Sequence, residues 1–303
     1  MHDPTVGATP ATTAAYDRRT ALLADTPSVM SRPGWETITV LVAVKAYPVI
    51  GSRTGESVCV AGTRLDEPVP EWVRLFPVGF RELPRARQFR KYDVIRLRAR
   101  RQGGNDRRPE TFRPDLDSLE LGPHVDTDGG TWQSRAELLG GLRGATTTCE
   151  LARRARAAGQ DAPSLGLVRP RVHDLVIRDN PEYRPGGAPR VDADLFGEER
   201  EVLEKTPFVA TYHYICADDP DCRGHRQSVV DRESGQLARS NIASMGREAA
   251  REAHRRRFLD EMCAPGRDTH FYVGNQHQHP ASFLVLGLFW PRGHVQPTFA
   301  LDV

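Results

Sequence analysis

From Thr37 the chain runs almost unbroken through apolar residues, TITVLVAVKAYPV, with Pro48 near its end. A short apolar run bounded by proline reads as a buried strand. SRTGE then reads as a turn and SVCVAGTRL as a second strand. After the proline-rich LDEPVPE, WVRLFPV is a third. FRELPRARQFRKY reads as a loop with a helical turn. In DVIRLRARR, Val94, Arg96 and Arg98 alternate with Ile95, Leu97 and Ala99. That is the period of a half-buried strand with an arginine face. Strands this short, joined by tight turns, predict a small antiparallel sheet or barrel.

The pattern changes beyond about residue 130. SRAELLGGLRGATTTCELARRARAAG reads as two helices broken at Gly140 and Gly141. SLGLVRPRVHDLVIRDN returns to extended structure, and NPEYRPGGAPRVDADLFGEERE reads as a polar surface excursion. PFVATYHYICA alternates as a strand. SMGREAAREAHRRRFLDEMCA is a helix with charges spaced for i,i+4 pairing. THFYVGNQHQHPASFLVLGLFWP holds two strands joined by GNQHQHPAS. Residues 1–33 lack an apolar period and read as a flexible tail with a short helix from Ala14 to Leu23. The expected class is therefore α+β. A small antiparallel β-barrel or sheet, with a basic face, occupies 34–130. A helical segment and an α+β lobe with a zinc knuckle occupy 131–303.

Five cysteines are an odd number for a disulfide framework, and the absence of an apolar signal segment points to reduced thiols in the cytoplasm. No apolar run approaches the ~20 residues of a membrane span. The sharpest motif is HYICADDPDCRGHRQ, where Cys216, Cys222 and His225 are spaced C-x5-C-x2-H. Two thiols and an imidazole around a turn suit a structural zinc ion, which needs a fourth ligand. Cys263 is the preferred candidate, because it ends a helix and its thiol could reach back to the turn. His213 is the other, although three residues along a strand put it on the face opposite Cys216.

Two polar groups follow. Asp231 and Glu233 stand two apart in VVDRESGQ, a pair that suits acid/base work or a second divalent ion. The same pair also suits a helix start. Asn275, Gln276, His277 and His279 lie between two apolar strands, placed to hydrogen-bond a base or to assist at a metal. An extended H-x-H would turn both imidazoles the same way.

Charge sharpens the picture. The chain carries 42 basic and 40 acidic residues, a net of +2, which argues against a strongly basic binder. Yet only Lys45, Lys91 and Lys205 are lysines; all other basic residues are arginine. Between 81 and 113 there are twelve basic and four acidic residues, with Phe80, Phe89, Tyr92 and Phe112 interleaved. Arg90, Lys91, Arg96, Arg98 and Arg100 on such a face suit a phosphate backbone with stacked bases. Arg108, Glu110, Arg113 and Asp115 sit in a proline-framed loop as a candidate arginine–carboxylate network.

In combination, WVRLFPVGFREL, DRRPETFRPDLDSLELG, C-x5-C-R-G-H-x5-D-R-E and DTHFYVGNQHQHPASFLVLG resemble an uncharacterised bacterial protein family widespread in actinobacteria. The resemblance spans residues 38–292 and carries no assigned activity. It implies D-W-E where this chain reads Asp231-Arg232-Glu233, so an aromatic role at 232 is lost here while both acids remain. It groups the knuckle, the acid pair and the GNQHQHP loop as one set.

Three functions compete on these residues. One is a nucleic-acid-binding protein with structural zinc, acting on DNA, RNA or nucleotides. The second is a metal-dependent phosphodiester hydrolase using Asp231, Glu233, His277 and His279. The third is a module for a protein partner. Oligomeric state is undetermined by the sequence, as is whether the chain is an enzyme. GGLRGATTT lacks the lysine and spacing of a phosphate loop, there is no G-x-S-x-G, and no histidine neighbours Cys59 or Cys149 in sequence.

Overall fold

A computed structural model describes residues 33–46, 49–51, 55–80, 82–104, 106–184 and 205–293. The expected tail and its helix, Arg81, and most of the polar excursion after Arg184 lie outside the described residues.

The continuous apolar run forms β1 (Glu36–Lys45), and it is apolar throughout because both of its faces are buried. Ile38, Val40 and Val42 point inward, against Val60, Leu75, Ile95 and Phe112. Leu41, Ala43 and Val44 point outward, against Tyr272, Leu286 and Phe289 from the far end of the chain. β1 pairs antiparallel with β3 (Gly55–Arg64) on one side and β5 (Asp93–Arg101) on the other. A short β2 (Val49–Gly51) folds back on the start of β3. β3 pairs with β4 (Trp72–Val78), and β5 with β6 (Thr111–His124). A parallel contact of β4 with β6, at Arg74↔Thr111 and Leu75↔Phe112, closes the ring.

The result is a five-stranded closed barrel with β2 as an appendage. Numbering only the barrel strands, the order around the ring is 1-2-3-5-4, with one parallel contact between the third and fifth. That is the Greek-key ring of the OB barrel. The small barrel expected from the sequence is present, antiparallel apart from this one contact. The contact arises because β6 must cross the barrel end to reach the free edge of β4. The proline-framed loop expected over residues 106–115 instead runs into the start of β6. Its Pro114 and its acidic outer face mask the strand pattern, while Phe112 and Leu119 supply the inward side chains.

Two further three-stranded sheets follow. One runs β7 (Leu165–Val168), β11 (His270–Gln276), β12 (His279–Phe289) and covers the outside of the barrel. The other runs β8 (Pro170–Asp179), β9 (Phe208–Cys216), β10 (His225–Ser228). Four helices complete the described fold: α1 (Gln133–Leu139), α2 (Thr148–Ala158), α3 (Arg232–Met245) and α4 (Arg247–Arg255). α1 ends at Gly140, whose φ of 49° suits glycine, as the Gly140-Gly141 pair predicts. A π-turn over Arg256–Glu261 continues α4. Leu151, Ala152 and Ala155 of α2 pack on Tyr212, Tyr214 and Phe271 between the two sheets. No described helix is long and apolar enough to cross a membrane.

Candidate functional site

The knuckle is a four-donor cluster. Cys216 ends β9, Cys222 sits in the turn, and His225 begins β10. Their donor atoms and that of Cys149, in the first turn of α2, all lie within 4.8 Å of one another. The Nε2 of His225 is 3.3 Å from Cys149 Sγ and 3.4 Å from Cys216 Sγ. With metal–sulfur and metal–nitrogen bonds of ~2.3 and ~2.0 Å, a tetrahedral ion sets such edges at roughly 3.6 Å. Three sulfurs and one imidazole at these separations fit a closed metal site.

The fourth position is therefore Cys149, a correction to the expected Cys263 or His213. Cys263 sits elsewhere, its thiol facing Phe258 O at 3.4 Å and its acidity suppressed to about 12 by burial. His213 is three residues from Cys216 on an alternating strand, and it is not part of the cluster.

Local backbone geometry favours the Cys222 sulfur as a ligand, whereas burial raises the Cys149 and Cys216 thiols. Cys216 N–H donates to Cys222 Sγ at 3.2 Å. Burial pushes the Cys222 thiol up, but amide donors from Cys216 and Gly224 outweigh it and lower it. Gly224, at φ 103°, adopts a backbone that a side chain would strain. Burial also lowers His225, keeping a neutral imidazole. Beside the cluster, Thr148 donates to Tyr214 Oη at 2.7 Å, and Tyr214 donates to Gln227 Oε1 at 2.6 Å. That chain locks α2 against β9 and β10.

A cavity of about 730 Å³ opens on the barrel. Cys59 of β3, Arg74 and Phe76 of β4, and Gln102 and Arg108 from the β5–β6 loop form its barrel side. Gly274 through His279 form the other side, so the GNQHQHP segment overhangs the barrel. The outward direction of Cys59, Arg74 and Phe76 follows from alternation, since Val58, Val60, Val73 and Leu75 fill the barrel.

The cavity floor is a buried polar network. Arg74 Nη2 donates to Ser164 Oγ at 3.0 Å and to its carbonyl at 3.2 Å, and Nη1 to Cys59 Sγ at 3.1 Å. Both oxygens of Glu110 are used by Ser164, from N–H at 2.7 Å and Oγ at 3.0 Å. Arg108 makes a bidentate pair with Asp106, at 2.8 and 2.6 Å. Those bonds hold the Asp106 carboxyl below its usual range against its burial.

The expected Arg108–Glu110–Arg113–Asp115 network is thus replaced by pairs with other partners. Asp115 serves Arg98 instead. Asn275 is spent on structure, its Nδ2 donating to Pro280 O at 2.9 Å. Gln276 is exposed at the end of β11. His277 and Gln278 make the turn, and His279 starts β12 opposite Gln276. The expectation of an extended H-x-H fails because the hairpin turns between its two histidines.

Asp231 and Glu233 lie in a different cavity, of about 460 Å³, with Lys91, Tyr92, Trp132 and Arg135. Asp231 Oδ2 accepts from Lys91 Nζ at 2.7 Å, and Oδ1 caps α3 by accepting from Glu233 N at 3.0 Å. Glu233 stands 3.4 Å from the same ammonium. Both oxygens of Asp231 are engaged, one in the ion pair and one in the helix cap. The expected second divalent ion and the acid/base role with His277 and His279 lack a common cavity.

The arginine face is likewise matched by acids. Arg96 pairs with Glu120 at 3.1 Å, Arg98 with Asp115 at 2.6 Å, and Arg90 with Asp93 at 3.7 Å. Arg100 lies over the Trp35 ring. The local excess counted between 81 and 113 misses acids supplied by β6 and α3.

A family model described as a domain of unknown function, DUF8758, matches residues 36–141. Another, DUF8757, matches residues 144–302. No curated protein matches the chain. Among solved structures, a chain titled as a replication protein A heterotrimer bound to ssDNA is similar over 82% of this chain, at 10% identity and a TM-score of 0.32. This chain covers 47% of that one, about half its length.

Proposed function

The chain belongs to the family of the DUF8757 domain of unknown function, and from that premise we propose that it binds nucleic acid or nucleotides through the barrel cavity, with a structural zinc ion in the Cys149–Cys216–Cys222–His225 cluster. One observation carries the reading. The cavity of about 730 Å³ lies on the outer face of the second and third barrel strands and against the loop between the fourth and fifth. In OB barrels that face and that loop take oligonucleotides. Phe76 offers a ring on which a base stacks, and Arg74 supplies a guanidinium beside it. The neutralised arginines of β5 are not part of this reading.

The test is equilibrium binding of single-stranded DNA, RNA and nucleotides, followed by anisotropy or calorimetry at low salt. Phe76→Ala should weaken binding by about tenfold or more, the effect of losing one stacked base. Absence of binding to every such ligand would refute the proposal. Zinc suits the metal site because three thiolates and an imidazole make a closed tetrahedral shell with no position for substrate. Its role is to fasten α2 to the β9–β10 hairpin.

A further inference from the structure

Arg74 is 3% exposed, and its side-chain hydrogen bonds go to Ser164 and the Cys59 sulfur rather than to a carboxylate. Glu110 reaches Arg74 only through Ser164, which donates to both of its carboxylate oxygens. Arg74 Nε is buried with no hydrogen-bond partner, and its Nη1 faces only a sulfur, a weak acceptor. A buried guanidinium N–H without a partner is costly and calls for an acceptor. Gln102 Oε1, in the same cavity lining, is a buried acceptor that also lacks a partner. A missing acceptor and a missing donor therefore belong to the lining of one cavity.

Its shape limits what can supply them. Along β4, the Trp72 end of the face is closed, since Trp72 packs edge-on against Tyr272 at 6.2 Å between ring centres. Arg74 is tied to Ser164, and Gly274 approaches so closely that an added Cβ would lie 3.3 Å from Arg74 Nη2. Only the stretch from Arg74 toward Phe76 and the His277 turn remains open. A strand that runs the length of an OB face would collide with β11 and β12.

We propose that the cavity takes a single nucleoside monophosphate unit, free or at a strand end, with its phosphate on Arg74 and a ribose or base donor on Gln102. This rests on the nucleotide-binding reading above and narrows it. Inorganic phosphate carries the charge but lacks the stacking ring and the second half of the cavity's contacts. A nucleoside lacks the anion. The phosphomonoester nucleotide supplies all three, and a phosphorylated strand terminus offers the same chemistry.

The experiment is competition calorimetry on the full chain. Its probes are the four nucleoside monophosphates, their nucleosides, inorganic phosphate, 5′- and 3′-phosphorylated and unphosphorylated oligonucleotides, and a circular single strand. The expected result is that at least one monophosphate binds about tenfold or more tightly than its nucleoside, the factor of a charge-assisted hydrogen bond. Free monophosphate binding without oligonucleotide binding identifies the free nucleotide as the source. A requirement for a terminal phosphate identifies the strand end. The circular strand should fail to compete. Gln102→Leu, at the cavity edge, should weaken the same monophosphate while leaving the melting temperature unchanged; Arg74→Lys should weaken it if folded. Equal binding of nucleoside and nucleotide, or tight binding of the circular strand, would overturn this proposal and leave the broader reading standing. Loss of every nucleic-acid ligand would remove both.

Discussion

Two of the chain's three lysines, Lys45 and Lys91, sit beside the Asp231–Glu233 pair, in a chain that otherwise uses arginine for positive charge. Lys45 donates to Phe89 O at 2.9 Å, and burial pushes its ammonium down to about 8. Lys91 opposes Asp231 with side-chain exposures of 11% and 6%. A compact ammonium fits a tight buried pair better than a planar fork. Removing one partner leaves an uncompensated charge. Lys91→Met should therefore cost about 3–5 kcal/mol in urea unfolding, and Lys91→Met with Asp231→Asn less than the sum of the single changes.

His254 provides a second test at this scale. It is stacked on Phe258 at 4.5 Å between ring centres, and burial lowers its imidazole to about 4. The unfolded chain binds the proton near 6.5, so it holds more protons than the folded chain between those values. The stabilising contribution of neutral His254 is complete above about 6.5 and declines as pH falls toward 4. The decline is at most about 3 kcal/mol. Melting temperature should fall over that window, and His254→Leu should flatten the fall.

The three close donors of the knuckle were legible from spacing alone. Cys149 was not, because it lies 76 residues from His225 in sequence. Its signal was present but weak: a cysteine two places after Thr147, whose side chain caps α2 by accepting from Glu150 N at 3.1 Å.

Among the elements, β1, β4, β5, β9 and the β11–β12 pair follow directly from their apolar patterns. β6 does not, because its charged outer face and its proline resemble a loop until β4 and β5 are present to pair with it. The site was harder still. The cavity is assembled from β3, β4, the β5–β6 loop and a hairpin near residue 277, and no local window contains it.

The metal cluster joins elements equally distant in sequence, which makes its removal informative. Purified protein should hold about one zinc per chain. Cys149→Ser should release it and loosen α2, whereas Cys263→Ser should retain it; metal analysis with near-ultraviolet circular dichroism reads both. At the barrel seam, a Cβ on Gly62 would lie 2.1 Å from Leu41 O, beside the irregular register of β1 and β3. Gly62→Ala should cost about 2–3 kcal/mol by forcing the strands apart, as seen in thermal or urea unfolding.

At the scale of the molecule, the near-neutral net charge describes the surface better than the basic window does. The arginines of β5 meet Asp115 and Glu120 across the strand pair, and exposed pairs of that kind contribute little. Arg96→Ala and Arg98→Ala should therefore leave ligand affinity within about twofold. The salt dependence of binding should correspond to roughly one phosphate contact, far below the slope of a protein tracking a polyanion. A steep slope abolished by those two substitutions would restore the strand-tracking surface expected from the basic window.

The two-faced burial of β1 also has a timetable. The last barrel strand ends at His124, whereas β11 and β12 do not end until Phe289. At bacterial or eukaryotic elongation rates, on the order of ten seconds or more separates their emergence from the ribosome. Throughout that interval the newborn barrel shows Leu41, Ala43, Val44 and Ala61 to solvent or to any nearby chain. Ribosome-bound chains halted once β6 has emerged but before β11 is made should recruit holdase chaperones, and completed ones should release them.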